Sequence, residues 1–309
     1  MTDPVFQRDA FIEEIYLAAK ENSDIFFISA DFGAPALDRF RDQLPQQFIH
    51  SGISEQNMID VAAGLALSGK KVYVYAMAPF ITLRCIEQTK CALALMALPV
   101  TIISVGSGLG YADAGPTHYS TEDIACMRAI VGLELLSPSD ELSTRSIAKK
   151  TIEEPRLRVI RLERHALPSI YATEDAIGES GYNELEPGKG ICVLSYGHLL
   201  HRVLKARKEF KGKRFAVVDL YRVKPIDMSL IELLSRYRGI VTVEEQCLSG
   251  GFGSAVLELL SDYKLQIPVI RLGLPERYYF ENGGREYLLD RFGLSEVDIC
   301  KAVDQLNTS

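Results

Sequence analysis

Residues 48–67 read FIHSGISEQNMIDVAAGLAL, and residues 70–77 follow as KKVYVYAM. The polar turn SGISEQN carries Glu55 into the head of a small-residue apolar segment that fits a helix closed by Gly69. The next run, β-branched and aromatic, reads as a buried strand. Upstream, DIFFISAD (24–31) is a second such strand and delivers Asp31 at its C-terminal end, after an amphipathic helix over 7–22. Downstream the alternation continues. ITLRCIEQTKCALALM (81–96) reads as a helix, PVTIISVG (99–106) as a strand, and TEDIACMRAIV (121–131) as a helix capped by Ser120 or Thr121. A short strand near 134, a turn at Pro138, a further helix and the strand RLRVIRLER (156–164) complete the set. Strands alternating with helices predict an α/β fold, a doubly wound and mostly parallel sheet, with ligands at the C-terminal ends of the strands.

Beyond residue 170 periodicity fades and Gly, Ser, Pro and acids gather. Residues 171–188 read as a linker, with room for a short hairpin. A second strand–helix alternation then runs from ICVLSYG (191–197) to SEVDICKAVDQL (295–306). The expected organisation is a first domain over 1–170 and a smaller α/β domain over 189–309, also mostly parallel. No 20–50-residue repeat relates them.

The 309 residues are 47% hydrophobic and 24% charged, ordinary for a globular chain, and the net charge of -7 with no basic run argues against nucleic acid or a membrane surface as partner. No apolar run approaches a membrane span, and the acidic N-terminus does not resemble a signal peptide. Six scattered cysteines without a CxxC or His/Cys cluster read as free thiols of a cytoplasmic protein and offer no metal site. His198 and His201, at i, i+3 helical spacing, read as structural or surface residues.

Three polar groups stand at the expected strand ends: Glu55, Asp31 and His118, the last in GSGLGYADAGPTH (106–118). Taken singly, each has an ordinary reading: a helix-start acid, an Asx turn, a satisfied loop histidine. A carboxylate at the mouth of an apolar element also suits proton transfer. The glycines of 106–118 match neither GxGxxG opening a helix nor a P-loop.

At these residues the chain resembles a known family. IHSGISEQNMIDVAAGLALSGKKVYVYAMAPF (49–80) is similar to the pyrimidine-binding domain of transketolases and 1-deoxyxylulose-5-phosphate synthases, and GLGYADAGPTH to their GPTH loop. VVDLYRVKPID (217–227) and VTVEEQCLSGGFGSAV (241–256) resemble their C-terminal domain. The resemblance implies thiamine diphosphate as cofactor, with Mg²⁺ holding the diphosphate. No GDG motif, which carries that part of the site in the family, occurs in the sequence. It further implies a split enzyme: a separate N-terminal transketolase subunit carrying GDG, and a heterotetramer in which this chain also pairs with itself.

By resemblance Glu55 activates the cofactor's aminopyrimidine and His118 contacts the donor sugar. Asp31, Phe80, Leu83 and Ile86 would line the cofactor; Asp113, Arg84 and Arg164 would meet an anionic sugar. Departures are evident. Leu83 and Ile86 stand where transketolases keep aromatics, Ala114 stands where they have Asp directly before GPTH, and Ser104 replaces a histidine. The implied activity is transfer of a two-carbon ketol unit between a ketose and an aldose. The alternatives are a deoxyxylulose-synthase-like acyloin condensation, a 2-oxoacid dehydrogenase E1 β-type subunit, which the GPTH loop disfavours, and a non-catalytic structural subunit.

Overall fold

The apolar runs form the strands of two sheets in the computed structural model, which describes residues 5–30, 35–174, 177–209 and 214–308. The first sheet contains β1 (Ile25–Ser29), β2 (Phe48–His50), β3 (Lys71–Met77), β4 (Val100–Val105), β5 (Glu134–Leu136) and β6 (Arg158–Leu162), paired in parallel. Its helices are α1 (Gln7–Glu21), α2 (Asp38–Gln43), α3 (Glu55–Leu67), α4 (Ala78–Ile81), α5 (Ile86–Gln88), α6 (Asp123–Arg128) and α7 (Glu141–Glu153).

The second sheet contains β7 (Asn183–Glu186), β8 (Ile191–Ser195), β9 (Ala216–Asp219), β11 (Gly239–Cys247) and β12 (Val269–Leu274); β10 (Arg222–Lys224) lies between β9 and β11 in the chain. Its helices are α8 (Gly197–Glu209), α9 (Ser229–Leu234), α10 (Phe252–Asp262), α11 (Gly284–Arg291) and α12 (Glu296–Thr308). Strand orders are β10-β5-β6-β4-β3-β1-β2 and β12-β11-β8-β9-β7.

Strand period two explains the layering. On β3, Val72, Val74 and Ala76 pack with Met58, Ile59 and Ala62 of α3, while Tyr73 and Tyr75 join Phe11 and Ile15 of α1 and Ile147 of α7 on the other face. Both sheets are mostly parallel, as expected, each with one antiparallel edge.

Those edges depart from the sequence reading. β7 lies inside the stretch read as linker and pairs antiparallel with β9. β10, unforeseen, leaves its own domain and adds antiparallel to β5 of the first sheet. One apolar cluster therefore runs from Ile102 and Val159 through Val223 to Cys192 and Val218. Three more elements, α2, β2 and α11, are short or without clear periodicity and lie outside the sequence reading.

The helix read over 81–96 is also broken. It becomes α4, a turn over 82–85, α5, and a π-helical turn over Thr89–Ala94. Thr82 Oγ1 donates to Ala78 O at 2.6 Å, and such back-bonding bends or ends a helix. The expected Ser120 or Thr121 cap is absent: Glu122 is the N-cap residue of α6 and makes no capping bond. The six cysteines form no disulfide. Among the described residues no helix is long and apolar enough to cross a membrane.

Candidate active site

β2, β3, β4 and β6 run parallel and end on one edge of the first sheet, and the segments leaving them carry the residues described below. Glu55 is the first residue of α3, where the helix dipole favours an acid. Its neighbours Met58 and Ile59 are fully buried, and Glu55 itself is 5% exposed. Phe80 follows β3, the 106–120 loop follows β4, and Glu163 and Arg164 follow β6.

A continuous run of contacts joins them. Arg84 Nη1 donates to Glu55 Oε2 at 2.9 Å. The Arg84 guanidinium carbon lies 4.4 Å from the centre of the Phe80 ring. Phe80 meets the His118 ring edge-on at 5.2 Å, and His118 lies 6.3 Å from Tyr111. Arg164 stacks 4.5 Å over Tyr111 and pairs with Asp113, and that hydrogen bond holds the exposed Asp113 carboxyl below its usual value. Glu55, Phe80, Arg84, Asp113, His118 and Arg164 are thus brought together. Leu83, half-buried in the turn, and Ile86, exposed at the head of α5, stand on the same broken segment but take no part in these ring and polar contacts. Asp31 lies outside the described residues.

Sequence reading missed Tyr111, the aromatic link between His118 and Arg164. The signal was Gly106, whose φ of +92° and backbone position put a built Cβ 2.1 Å from the Tyr111 ring. Only glycine lets the ring lie there.

The second domain braces this loop. Its ends are bridged by Ser120 N donating to Gly108 O at 2.8 Å, while Leu109, Ala112 and Tyr119 pack into the second domain's core with Leu199 and Leu288. From β11, Glu245 Oε1 accepts from Leu109 N (2.9 Å), Gln246 Nε2 donates to Ser120 O (2.7 Å), and Cys247 N donates to Thr121 O (2.9 Å). Arg285 of α11 closes the brace. It binds Glu163 (2.6 Å) and Glu245 (2.5 Å) at once and reaches Ser107 O at 3.3 Å. Burial, the largest single influence, pushes the Glu163 carboxyl up, but the charge and hydrogen bonds of Arg285, with His198 and Arg161 nearby, together hold the group below its ordinary value. Glu244, one residue earlier, accepts from Phe252 N and Gly253 N at the head of α10, and burial raises it to about 7. His198 pairs with Glu286 and His201 with Ser139 O, both structural contacts.

The family scan matches the transketolase pyrimidine-binding domain over residues 4–169 and the transketolase C-terminal domain over 181–299. The chain is 33% identical to a subunit of the apulose-4-phosphate transketolase of Phocaeicola vulgatus, covering 95% of each. The chain belongs to the transketolase family. It is also 33% identical to a 1-deoxy-D-xylulose-5-phosphate synthase of Synechococcus sp., covering 93% of this chain but 45% of that one. A solved split-gene transketolase, described as an inactive beta4 tetramer, superposes with a TM-score of 0.89 at 31% identity, over 98% of this chain and 99% of that one. Membership makes the chain part of a transferase family that moves ketol units with thiamine diphosphate.

The residues present fit one half of that cofactor. A buried carboxylate with a reachable oxygen and a half-buried aromatic ring suit a flat, nitrogen-bearing heterocycle. They do not fit the metal–diphosphate half. Among the described residues no group of three or more His, Cys, Asp and Glu converges to hold a metal ion. A cleft of about 330 Å³ between α7 and residues 177–181 is lined by five glutamates and four cations, a balance that selects no anion, and it shares no residue with the run from Glu55 to Asp113.

Proposed function

We propose that this chain is the pyrimidine-side subunit of a two-subunit transketolase. It transfers a two-carbon ketol unit between a phosphorylated or otherwise anionic ketose and an aldose once a GDG-bearing subunit supplies Mg²⁺ and diphosphate binding. The observation that carries this reading is the buried Glu55 at the head of α3, joined through Arg84 to the Phe80–His118 pair, with no metal-holding group among the described residues. The split-gene relative whose beta4 tetramer is described as inactive supports dependence on a partner, and the Phocaeicola relative, named for a ketose phosphate, supports an anionic sugar.

When bound, thiamine diphosphate supplies the ring that stabilises the carbanion left by carbon–carbon cleavage. Glu55 holds a proton against the ring nitrogen N1′ of the aminopyrimidine, and its apolar surroundings keep water from competing for that proton. Phe80 would present a face for the heterocycle, with Leu83 and Ile86 on the same segment, and the family resemblance assigns Asp31 to the same cofactor. His118, held by Thr117 Oγ1 at 3.0 Å, is placed to hydrogen-bond the donor sugar's oxygen. Arg164 offers a planar fork to a phosphate, exchanging Asp113 for the ligand, while Asp113 is left to the sugar hydroxyls. Two such active sites arise in a heterotetramer in which this chain pairs with itself. Free thiols suit a cytoplasmic setting.

The test is co-expression with a GDG-bearing subunit, calorimetric titration with thiamine diphosphate and Mg²⁺, and an assay of ketol transfer from a ketose phosphate. The pair should bind cofactor and transfer the ketol unit, and the isolated chain should do neither. A pair that binds no cofactor ends the proposal. Activity only with pyruvate and an aldose phosphate would favour the synthase reading, which the Synechococcus relative keeps open.

A further inference from the structure

The break after α4 puts a cation where the functional reading puts a cofactor ring. Within the turn over 82–85 the backbone of Arg84 is held on both sides: Arg84 N donates to Pro79 O at 3.3 Å, and Arg84 O accepts from Gln56 Nε2 at 3.3 Å. From this turn the guanidinium lies over Phe80 at 4.4 Å and donates to Glu55 Oε2 at 2.9 Å. A guanidinium is planar, donates in its plane and stacks on aromatic faces. An aminopyrimidine held by Phe80 and Glu55 would use the same two partners in the same two ways. The Glu55 side chain is 6% exposed while that of Arg84 is 43% exposed, so the arginine lies on the solvent side of the acid.

We propose that Arg84 is a built-in stand-in for the aminopyrimidine. With no cofactor bound, its guanidinium occupies Phe80 and neutralises Glu55, which would otherwise be a buried carboxylate without a cation. Cofactor entry displaces it. This inference rests on the functional reading above, because it assigns the displaced place to that cofactor. Arg84 swings on its own side chain, since its backbone is held by Pro79 and Gln56. Because the arginine faces solvent the pair is screened on that side, and the closed state lowers cofactor affinity only by the fraction of chains it occupies.

The test is calorimetric titration of thiamine diphosphate, with Mg²⁺ present, into the complex with the GDG-bearing subunit, comparing wild type with Arg84→Leu. The dissociation constant of the variant should tighten by about two- to five-fold. Added salt should narrow the gap by screening the wild-type pair. A second measurement uses the isolated chain: the shifts in melting temperature caused by Arg84→Leu and Glu55→Gln should be non-additive there. Weaker binding by Arg84→Leu would show that Arg84 holds the cofactor, and an unchanged constant that it competes with nothing; either overturns the inference, as does additivity. A wild-type complex that binds no cofactor overturns the functional reading itself, so the two failures are told apart by which protein fails.

Discussion

Replacing Arg285 with Met should unfasten the two domains where they meet behind the 106–120 loop. Arg285, Glu163 and Glu245 have side chains 10%, 5% and 7% exposed, and four guanidinium–carboxylate bonds of 2.5 to 3.2 Å join them. Methionine keeps the apolar stem and deletes the charge, leaving two buried carboxylates without a cation. Breaking a buried pair in this way costs about 3–5 kcal/mol.

The sign with pH can be worked from Glu163. Burial raises its carboxyl, and the charge and hydrogen bonds of Arg285 with the nearby His198 and Arg161 together more than offset that, so the folded value sits below the unfolded one. In the wild type this group therefore stabilises above the ordinary carboxylate range, and that stability is lost only as pH falls through the depressed value. In Arg285→Met only His198 and Arg161 still oppose burial, so the folded value rises and the stability that Glu163 supplied above the ordinary carboxylate range is lost. The deficit of the variant relative to wild type should be larger near pH 8 than near pH 5.5. Urea unfolding followed by tyrosine fluorescence, in a chain without tryptophan, reads both values. A deficit under about 1 kcal/mol near pH 8, or one equal at both pH values, would refute the argument.

Glu55→Gln should lower ketol transfer by the reconstituted pair by about 10²–10⁴-fold with an unchanged circular dichroism spectrum; near wild-type turnover would remove the proton role. Arg164→Ala should raise KM for a sugar phosphate by about 10- to 100-fold, the worth of one charged hydrogen-bonding group, and leave KM for an uncharged sugar in place. An equal change for both sugars would take Arg164 out of the anion site. Asp219 is fully buried, accepts from Ser139 Oγ (2.9 Å) and Tyr171 OH (2.7 Å), and is pushed by burial to about 7. Its folded value lies above the unfolded one, so stability falls as pH rises from about 4 through 7, by up to about 1.4 kcal/mol per unit. Asp219→Asn should remove that contribution in denaturant titrations; an unaltered pH slope would contradict it.

What was legible in the sequence was what local periodicity carries. DIFFISAD and KKVYVYAM could only be buried strands, and the turn before α3 marked Glu55 because an acid there stands out against its apolar neighbours. The break in the 81–96 helix was not legible, because composition alone does not reveal that Thr82 bonds back to Ala78 rather than pointing elsewhere. Its loss mattered, since that turn is what carries Arg84 to Glu55. β10 was invisible for another reason: three residues, RVK, gain strand geometry only by pairing with β5 some 90 positions earlier. Arg285 sat in GGREY with no periodic signal, and its partners Glu163 and Glu245 are 122 and 40 positions away. Tyr111 stood within a quoted motif, but its role depends on Gly106, where any Cβ would collide with the ring.

β10 also bears on how such a protein can be divided during evolution. A gene break near residue 180 would strip the first sheet of its edge strand, open the apolar cluster shared through Val223, and free the loop that β11 holds at both ends. Each fragment would expose surface suited only to the other. The two domains are therefore held together by a shared sheet and a shared apolar cluster, and not only by the chain between them.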